Sequence, residues 1–377
     1  MKKNVLILTL FAVGTLVASY AAQEGGGNRE AIRERILQKF DKDGDGHLST
    51  EERAELRSFI QSRRGQQSSS GKKSIPEGVG PMPEPEPTLL TDLYGQNAPN
   101  VTLLQKDLEL RDQERGKTLQ FRATYSSDST GKLPVIVWSH GMYGSQDFYQ
   151  PLVHHWAKHG YLVLQPTHSD SLRRGSGLSN PTSDWANRPK DVSFLIDSLA
   201  QHPLLADRAD LTRLGVGGHS YGAHTTMLLG GAVPQIGGQL ADSRVKVFVA
   251  ISPQGEDRLL TSSSWAGLKR PMLFISGDRD QTRKKEPSSV RKAAYLGATP
   301  GDKYLLWIKD AYHNFGGISG ARHSQSGPAN GDQVALVKST TLAFWDKYLK
   351  SDATAAELVD KQAYNQASRG LATWSER

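Results

Sequence analysis

From about Leu90 onward the chain alternates short apolar runs with stretches of helical periodicity, and that alternation leaves few folds open. The runs are Leu119–Tyr125, Pro134–Trp138, Tyr161–Gln165, Leu214–Gly218, Val245–Ile251, Met272–Ser276 and Tyr304–Ile308. Several are near-continuous, as expected of parallel strands covered on both faces. Helical patterns lie between them, around residues 146–159, 188–201, 221–230 and 332–349. The expected fold class is therefore α/β, a doubly wound and mostly parallel sheet occupying residues 91–350. The segment 351–377 reads as a polar C-terminal tail.

The chain ahead of this domain divides into three parts. Lys2 and Lys3 precede an apolar run from Val5 to Val17, with small residues Ser19 and Ala21 behind it. That is a signal-peptide pattern over residues 1–22, with cleavage expected near Ala21 or Ala22. An uncleaved anchor is the alternative. Either way the remainder is expected outside the cytoplasm, secreted or periplasmic, and the absence of cysteine from the sequence fits an oxidising compartment. Residues 28–64 carry Ile32, Ile36 and Phe40, then a loop, then Leu56, Phe59 and Ile60, a pair of short amphipathic helices. Residues 65–90 are rich in Gln, Ser, Gly and Pro and read as a tether. The net charge of +7 falls to +5 without Lys2 and Lys3 and is not gathered in one block, so nothing points to nucleic acid.

The loop in the first module runs from Asp41 to Glu52. Asp41, Asp43 and Asp45 offer oxygens at positions 1, 3 and 5, and Gly46 permits the turn at position 6. The His47 carbonyl, Ser49 at position 9 and Glu52 at position 12 complete a calcium shell, with Leu48 pointing between the helices. Loop and flanking helices resemble the EF-hand family, which implies Ca2+ as a structural or regulatory ion. EF-hands usually come paired, and a lone one leaves open weak binding, a dimer or a protein partner.

In the larger domain Gly218-His219-Ser220-Tyr221-Gly222 follows the strand Leu214–Gly217 and precedes a helix. Strand, sharp turn and helix form the setting of a nucleophile elbow, with Ser220 exposed at the carboxyl edge of the sheet. A nucleophilic serine needs a base, and the base an acid to hold its tautomer. His313 follows the strand Tyr304–Ile308; Asp280 and Asp278 follow Met272–Ser276. His313 is favoured over His219, His224 and His323, and Asp280 over Asp278, which is the better placed to brace its turn. The backbone N–H groups of Met142, after Ser139-His140-Gly141, and of Tyr221 are the expected oxyanion donors.

With these residues, and with Trp185-Ala186-Asn187-Arg188-Pro189-Lys190-Asp191, residues 115–350 resemble the α/β-hydrolase superfamily. They are similar to predicted dienelactone hydrolases and to the platelet-activating-factor acetylhydrolase, chlorophyllase and cutinase-like branches. The resemblance implies serine-type hydrolysis of carboxylic esters, a chemistry that needs no cofactor, and the leader pattern leaves no membrane span expected after signal cleavage. True dienelactone hydrolases use a cysteine that this sequence lacks. Trp185, Arg188 and Asp191 themselves read as bracing at a helix start. Two other readings stay open: an amidase or peptidase with the same triad, and a calcium-dependent binding protein with an inert hydrolase domain.

Overall fold

The computed structural model describes residues 29–46, 48–49, 51–52, 54–56, 82–174, 185–322 and 325–377. The leader, most of the Ser/Gly-rich segment, Phe59, Ile60, His47 and His323 lie outside the described residues. The chain separates into two units, Met1–Glu77 and Gly78–Arg377. In the first, helix α1 (Arg29–Phe40) precedes the acidic loop, and Ile36, Phe40 and Leu56 are buried.

The second unit is built on one sheet, in which the described residues form nine strands in the order β1-β2-β4-β3-β5-β6-β7-β8-β9. These are β1 (Leu103–Asp112), β2 (Lys117–Ser126), β3 (Leu133–Ser139), β4 (Leu162–Thr167) and β5 (Ala209–His219), then β6 (Val247–Ile251), β7 (Met272–Gly277), β8 (Lys303–Ile308) and β9 (Ala372–Glu376). Strands β4, β3, β5, β6, β7 and β8 run parallel, while at the edges β2 and β9 pair antiparallel with β4 and β8, and β1 pairs antiparallel with β2. Helices cover both faces: α2 (Gln150–Lys158), α3 (Asn187–Leu199), α4 (Tyr221–Gly230), α5 (Ala293–Gly297), α6 (Gly331–Trp345), α7 (Ala353–Leu358) and α8 (Lys361–Ala367).

Two cores explain the continuous apolar runs. Ile136, Trp138, Val247, Val249 and Ile251 point to one side with Trp156 of α2 and Trp345 of α6. Val135, Val137, Phe248 and Ala250 point to the other with Leu195 of α3 and Met227 of α4. Each strand still alternates, but both of its faces meet apolar partners, so no polar phase remains in the sequence. Trp156 Nε1 donates to Thr341 Oγ1 over 3.0 Å, tying α2 to α6 beneath the sheet.

The structure differs from the sequence reading at both ends of this unit. Residues 351–377, read as a polar tail, form α7 and α8, and β9 pairs with β8. The end of the Pro-rich stretch is also packed: the Asp332 carboxylate at the start of α6 accepts the N–H groups of Thr88, Leu89 and Leu90 at 2.8–3.0 Å. A carboxylate at a helix N-terminus is favourably placed to hold them.

Candidate active site

Strand β5 ends at His219 and α4 begins at Tyr221, so Ser220 makes the whole turn, at φ 56° and ψ −116°. A non-glycine residue at this φ costs on the order of 1–3 kcal/mol and persists only where its surroundings enforce it. The Ser220 N–H continues the ladder one step past β5, donating to Ile251 O at 2.9 Å. The glycines on either side make room. A Cβ on Gly222 would lie 1.9 Å from Ser139 O, and one on Gly218 would lie 2.4 Å from the Gly222 backbone. No side chain fits in either place, which is why the motif carries glycine two residues either side of the serine.

Asp280 and His313 leave the carboxyl ends of β7 and β8, and the structure brings them together: His313 Nδ1 lies 2.7 Å from Asp280 Oδ1. Asp280 is fully buried. Its Oδ2 accepts from Ser276 Oγ at 2.8 Å and its Oδ1 from Ser252 Oγ at 2.9 Å, with the Arg291 guanidinium 3.3 Å away. Burial alone would raise this carboxyl, but His313, Arg291 and the Ser252 hydroxyl hold it well below the usual carboxylate range. Asp278 is not part of this cluster. It is exposed, and it braces the turn by accepting from Trp307 Nε1 at 2.7 Å and Asp310 N at 3.0 Å.

Sequence reasoning missed Ser252. It immediately follows β6 at φ 52°, and its Oγ is 2.9 Å from both Asp280 Oδ1 and His313 Nδ1. A polar residue at the carboxyl end of a core strand was the available signal. Two histidines considered as bases take other places. His219 is buried with its ring 4.7 Å from that of His313. His224 is buried against the Tyr221 ring, and desolvation lowers it to about 4. Phe315, two residues past His313, is fully buried edge-on to His219.

The residues after β3 pass beside the elbow. Gly141 N donates to Tyr149 Oη at 3.1 Å, Tyr143 N to Asp170 Oδ2 at 3.1 Å and Gly144 N to Gly141 O at 3.1 Å. Met142 is half-buried in this loop, and Tyr221 is the first residue of α4. Beneath the loop lies a buried polar network. Asp191 Oδ1 pairs with Arg115 and Lys117, each at 2.7 Å, and its Oδ2 with His168 Nδ1 at 3.0 Å. His168 Nε2 reaches Ser139 Oγ at 2.9 Å, and the His168 N–H donates to His140 Nε2 at 3.1 Å. His140 Nε2 therefore accepts while Nδ1 donates to Gly141 O at 2.6 Å. The ring is held neutral, as its burial and the nearby Arg188 charge require.

In the N-terminal unit, oxygens of Asp41, Asp43 and Asp45 lie within 4.8 Å of one another. Asp41 accepts from Gly44 N at 2.8 Å and Gly46 N at 2.9 Å, the two glycines having φ of 70° and 78°. Glu52 accepts from Lys42 N at 2.6 Å and Ser49 N at 2.8 Å, while its own N–H donates to Ser49 Oγ at 3.2 Å. Ser49 and Glu52 thus form a reciprocal helix cap that brings the glutamate back to the start of the loop. The Asp45 amide pulls the Asp43 carboxyl down. A hydrogen bond shared with Asp41, desolvation and the charges of Asp45 and Glu52 outweigh it and leave Asp43 above its ordinary value. An all-oxygen donor set with crowded negative charge fits a hard divalent cation.

A sequence model of the chlorophyllase family matches residues 95–247. No curated protein is significantly similar to the chain. Among solved structures, a ferulic acid esterase from Streptomyces cinnamoneus superposes with a TM-score of 0.52 at 18% identity, covering 68% of this chain and 92% of its own. A putative dienelactone hydrolase from Klebsiella pneumoniae gives 0.50 at 16%, covering 66% of this chain and 100% of its own. Sheet order, elbow and these likenesses define the class of fold: the chain has the α/β-hydrolase fold. Within that fold its likenesses are to the chlorophyllase family over residues 95–247 and to an esterase and a hydrolase of known structure. Among the described residues, no helix is long and apolar enough to cross a membrane.

Proposed function

We propose that this protein is an exported serine esterase in which Ser220, His313 and Asp280 act as nucleophile, base and orienting acid. The observation that carries the reading is the 2.7 Å contact of His313 Nδ1 with buried Asp280, delivered to the same sheet edge as the strained Ser220 turn. With Nδ1–H committed to an ionised carboxylate, Nε2 is the basic nitrogen of the ring. It takes the Ser220 proton as Oγ adds to the ester carbonyl, then passes that proton to the departing alcohol. Water attacks the acyl-enzyme by the same route and releases the acid. The N–H groups of Met142 and Tyr221 donate to the tetrahedral oxyanion, which develops charge near the start of α4 where the helix dipole favours it.

The test is hydrolysis of para-nitrophenyl acetate and butyrate by the full chain and by Ser220→Ala, with fluorophosphonate labelling of both. Turnover and labelling that vanish together in the variant are expected. Undiminished turnover in Ser220→Ala defeats the reading, and paired ester and anilide substrates separate an esterase from an amidase.

The N-terminal module belongs to the same proposal as a calcium site. Asp41, Asp43, Asp45 and Glu52 would hold the ion, with Ser49 through water and the His47 carbonyl completing the shell. Bound calcium would neutralise the crowded carboxylates and order the loop. The leader pattern over residues 1–22 supports placement outside the cytoplasm, in the periplasm or secreted.

A further inference from the structure

Arg188 is fully buried, and a buried guanidinium is tolerated only when its donors are matched. Here they are. Nε donates to Asp170 Oδ1 at 3.0 Å and Nη2 to Asp170 Oδ2 at 2.7 Å, a bidentate pair. The far side of the fork faces the loop after β3, where Nη1 donates to His140 O at 2.6 Å and Nη2 to Gly141 O at 3.2 Å. The flat face of the same group lies 4.3 Å from the ring centre of Tyr221. One side chain therefore touches both residues whose amides are assigned to the oxyanion: Tyr221 directly, and Met142 through the peptide that precedes it.

The effect on Met142 follows from peptide geometry. In a trans peptide the C=O and the next N–H point in opposite directions, and among the described residues no peptide bond is cis. Drawing Gly141 O toward Arg188 turns the Met142 N–H away from it. The neighbouring peptide behaves in the same way: His140 O faces Arg188, and Gly141 N–H points away to Tyr149 Oη. Asp170, oriented by Arg188, also takes the Tyr143 N–H. The amides of Gly141, Tyr143 and Gly144 are thus all committed to protein acceptors. Met142 N–H is the one amide of residues 141–144 without such an acceptor among the described residues.

We propose that Arg188 is the positioning residue of the oxyanion hole, fixing the Gly141–Met142 peptide plane and the Tyr221 side of the elbow so that both N–H groups converge before substrate arrives. The proposal rests on the esterase reading. It explains why a full positive charge is buried in a place where it touches no reacting atom. A donor fixed in advance costs no reorganisation in the transition state, which is where such electrostatic stabilisation gains its size. Lysine cannot replace it, because an ammonium lacks the planar fork that reaches a carboxylate and two carbonyls at once.

The test compares an ester with its thiono counterpart, whose developing sulfur anion fits amides arranged for oxygen poorly. The full chain and Arg188→Lys are assayed on both. For Arg188→Lys, kcat on the oxygen ester should fall on the order of 10- to 100-fold with KM nearly unchanged, given that losing one donor outright costs about 100- to 1000-fold. The oxygen-to-sulfur rate ratio should fall with it. Equal losses on the two esters, with the ratio kept, overturn the proposal and assign Arg188 to folding alone. If Arg188→Lys does not fold, Asp170→Asn reads the same ratio, since it keeps the guanidinium but removes the carboxylate that aims it. A wild-type protein that hydrolyses neither ester defeats the esterase reading and this one with it, whereas an active wild type with an unmoved ratio defeats only this one.

Discussion

His219 Nε2 and the carbonyl of His313 are 2.7 Å apart, a hydrogen bond from the residue before the elbow serine to the backbone of the histidine loop. With Nε2–H as donor, Nδ1 accepts from Tyr149 Oη at 3.0 Å, and that oxygen accepts from Gly141 N. One ring thereby joins the three loops that meet at the edge of the sheet. His219→Phe keeps the volume but removes both hydrogen bonds. Its kcat on a nitrophenyl ester should fall roughly 10- to 100-fold, since a displacement of about 1 Å in a catalytic group can cost 100-fold. Steady-state kinetics beside a melting curve check this; full activity would show the loops to be held independently.

Ser252 makes a second, smaller prediction. Its hydroxyl hydrogen-bonds the oxygen of Asp280 that faces His313. Ser252→Ala should lower kcat by about 10-fold, the loss of roughly one hydrogen bond to a charged group, and leave KM in place. A change in KM alone would place Ser252 in substrate binding instead.

Acidification should weaken the fold through its buried histidines. His224 is buried and lowered to about 4 by desolvation, and desolvation also lowers His140 and His168. Unfolded, each would bind a proton near pH 6.5. For His224 the unfolded chain therefore holds more protons between about pH 6.5 and 4, and stability falls as pH falls by up to roughly 1.4 kcal/mol per pH unit; His140 and His168 act in the same direction. His224→Phe should flatten the slope of melting temperature over that window. Below about pH 4 a second loss begins. Burial opposes ionisation of Asp170, but Arg188 holds it at about 2, so its stabilisation is complete above the unfolded value and fades as pH drops through the folded one. An unchanged slope in His224→Phe would contradict the assignment.

Calcium should bind the full chain and raise the melting temperature of the N-terminal unit, by about 2.7 kcal/mol of stabilisation at 100 times Kd. Glu52→Gln should weaken binding strongly while ester turnover stays as in the wild type. Calorimetric titration that detects no calcium binding in the unaltered protein would remove the metal assignment.

The parallel centre of the sheet was legible because its strands are buried on both faces and leave uninterrupted apolar runs. The edges were not. Strand β1 alternates only weakly, with Leu108 and Leu110 among charged residues, because it has one partner and much of it faces water. Strand β9 is five residues long and takes its place from pairing with β8, a contact that no local pattern encodes. At the site, the elbow and the residues beyond β7 and β8 could be read from position alone. The partners of Arg188 could not, since Asp170 and the carbonyls of His140 and Gly141 lie 18 to 48 residues away along the chain.

Gly222 sits so close to Ser139 that their main chains are in contact. The turn at Ser220 and the loop after β3 are therefore braced against each other, and neither backbone can be reshaped without displacing the other. Any retuning of selectivity has to come from side chains outside this junction, such as half-buried Met142 on the loop after β3. A mutational library aimed at new acyl groups is best spent there.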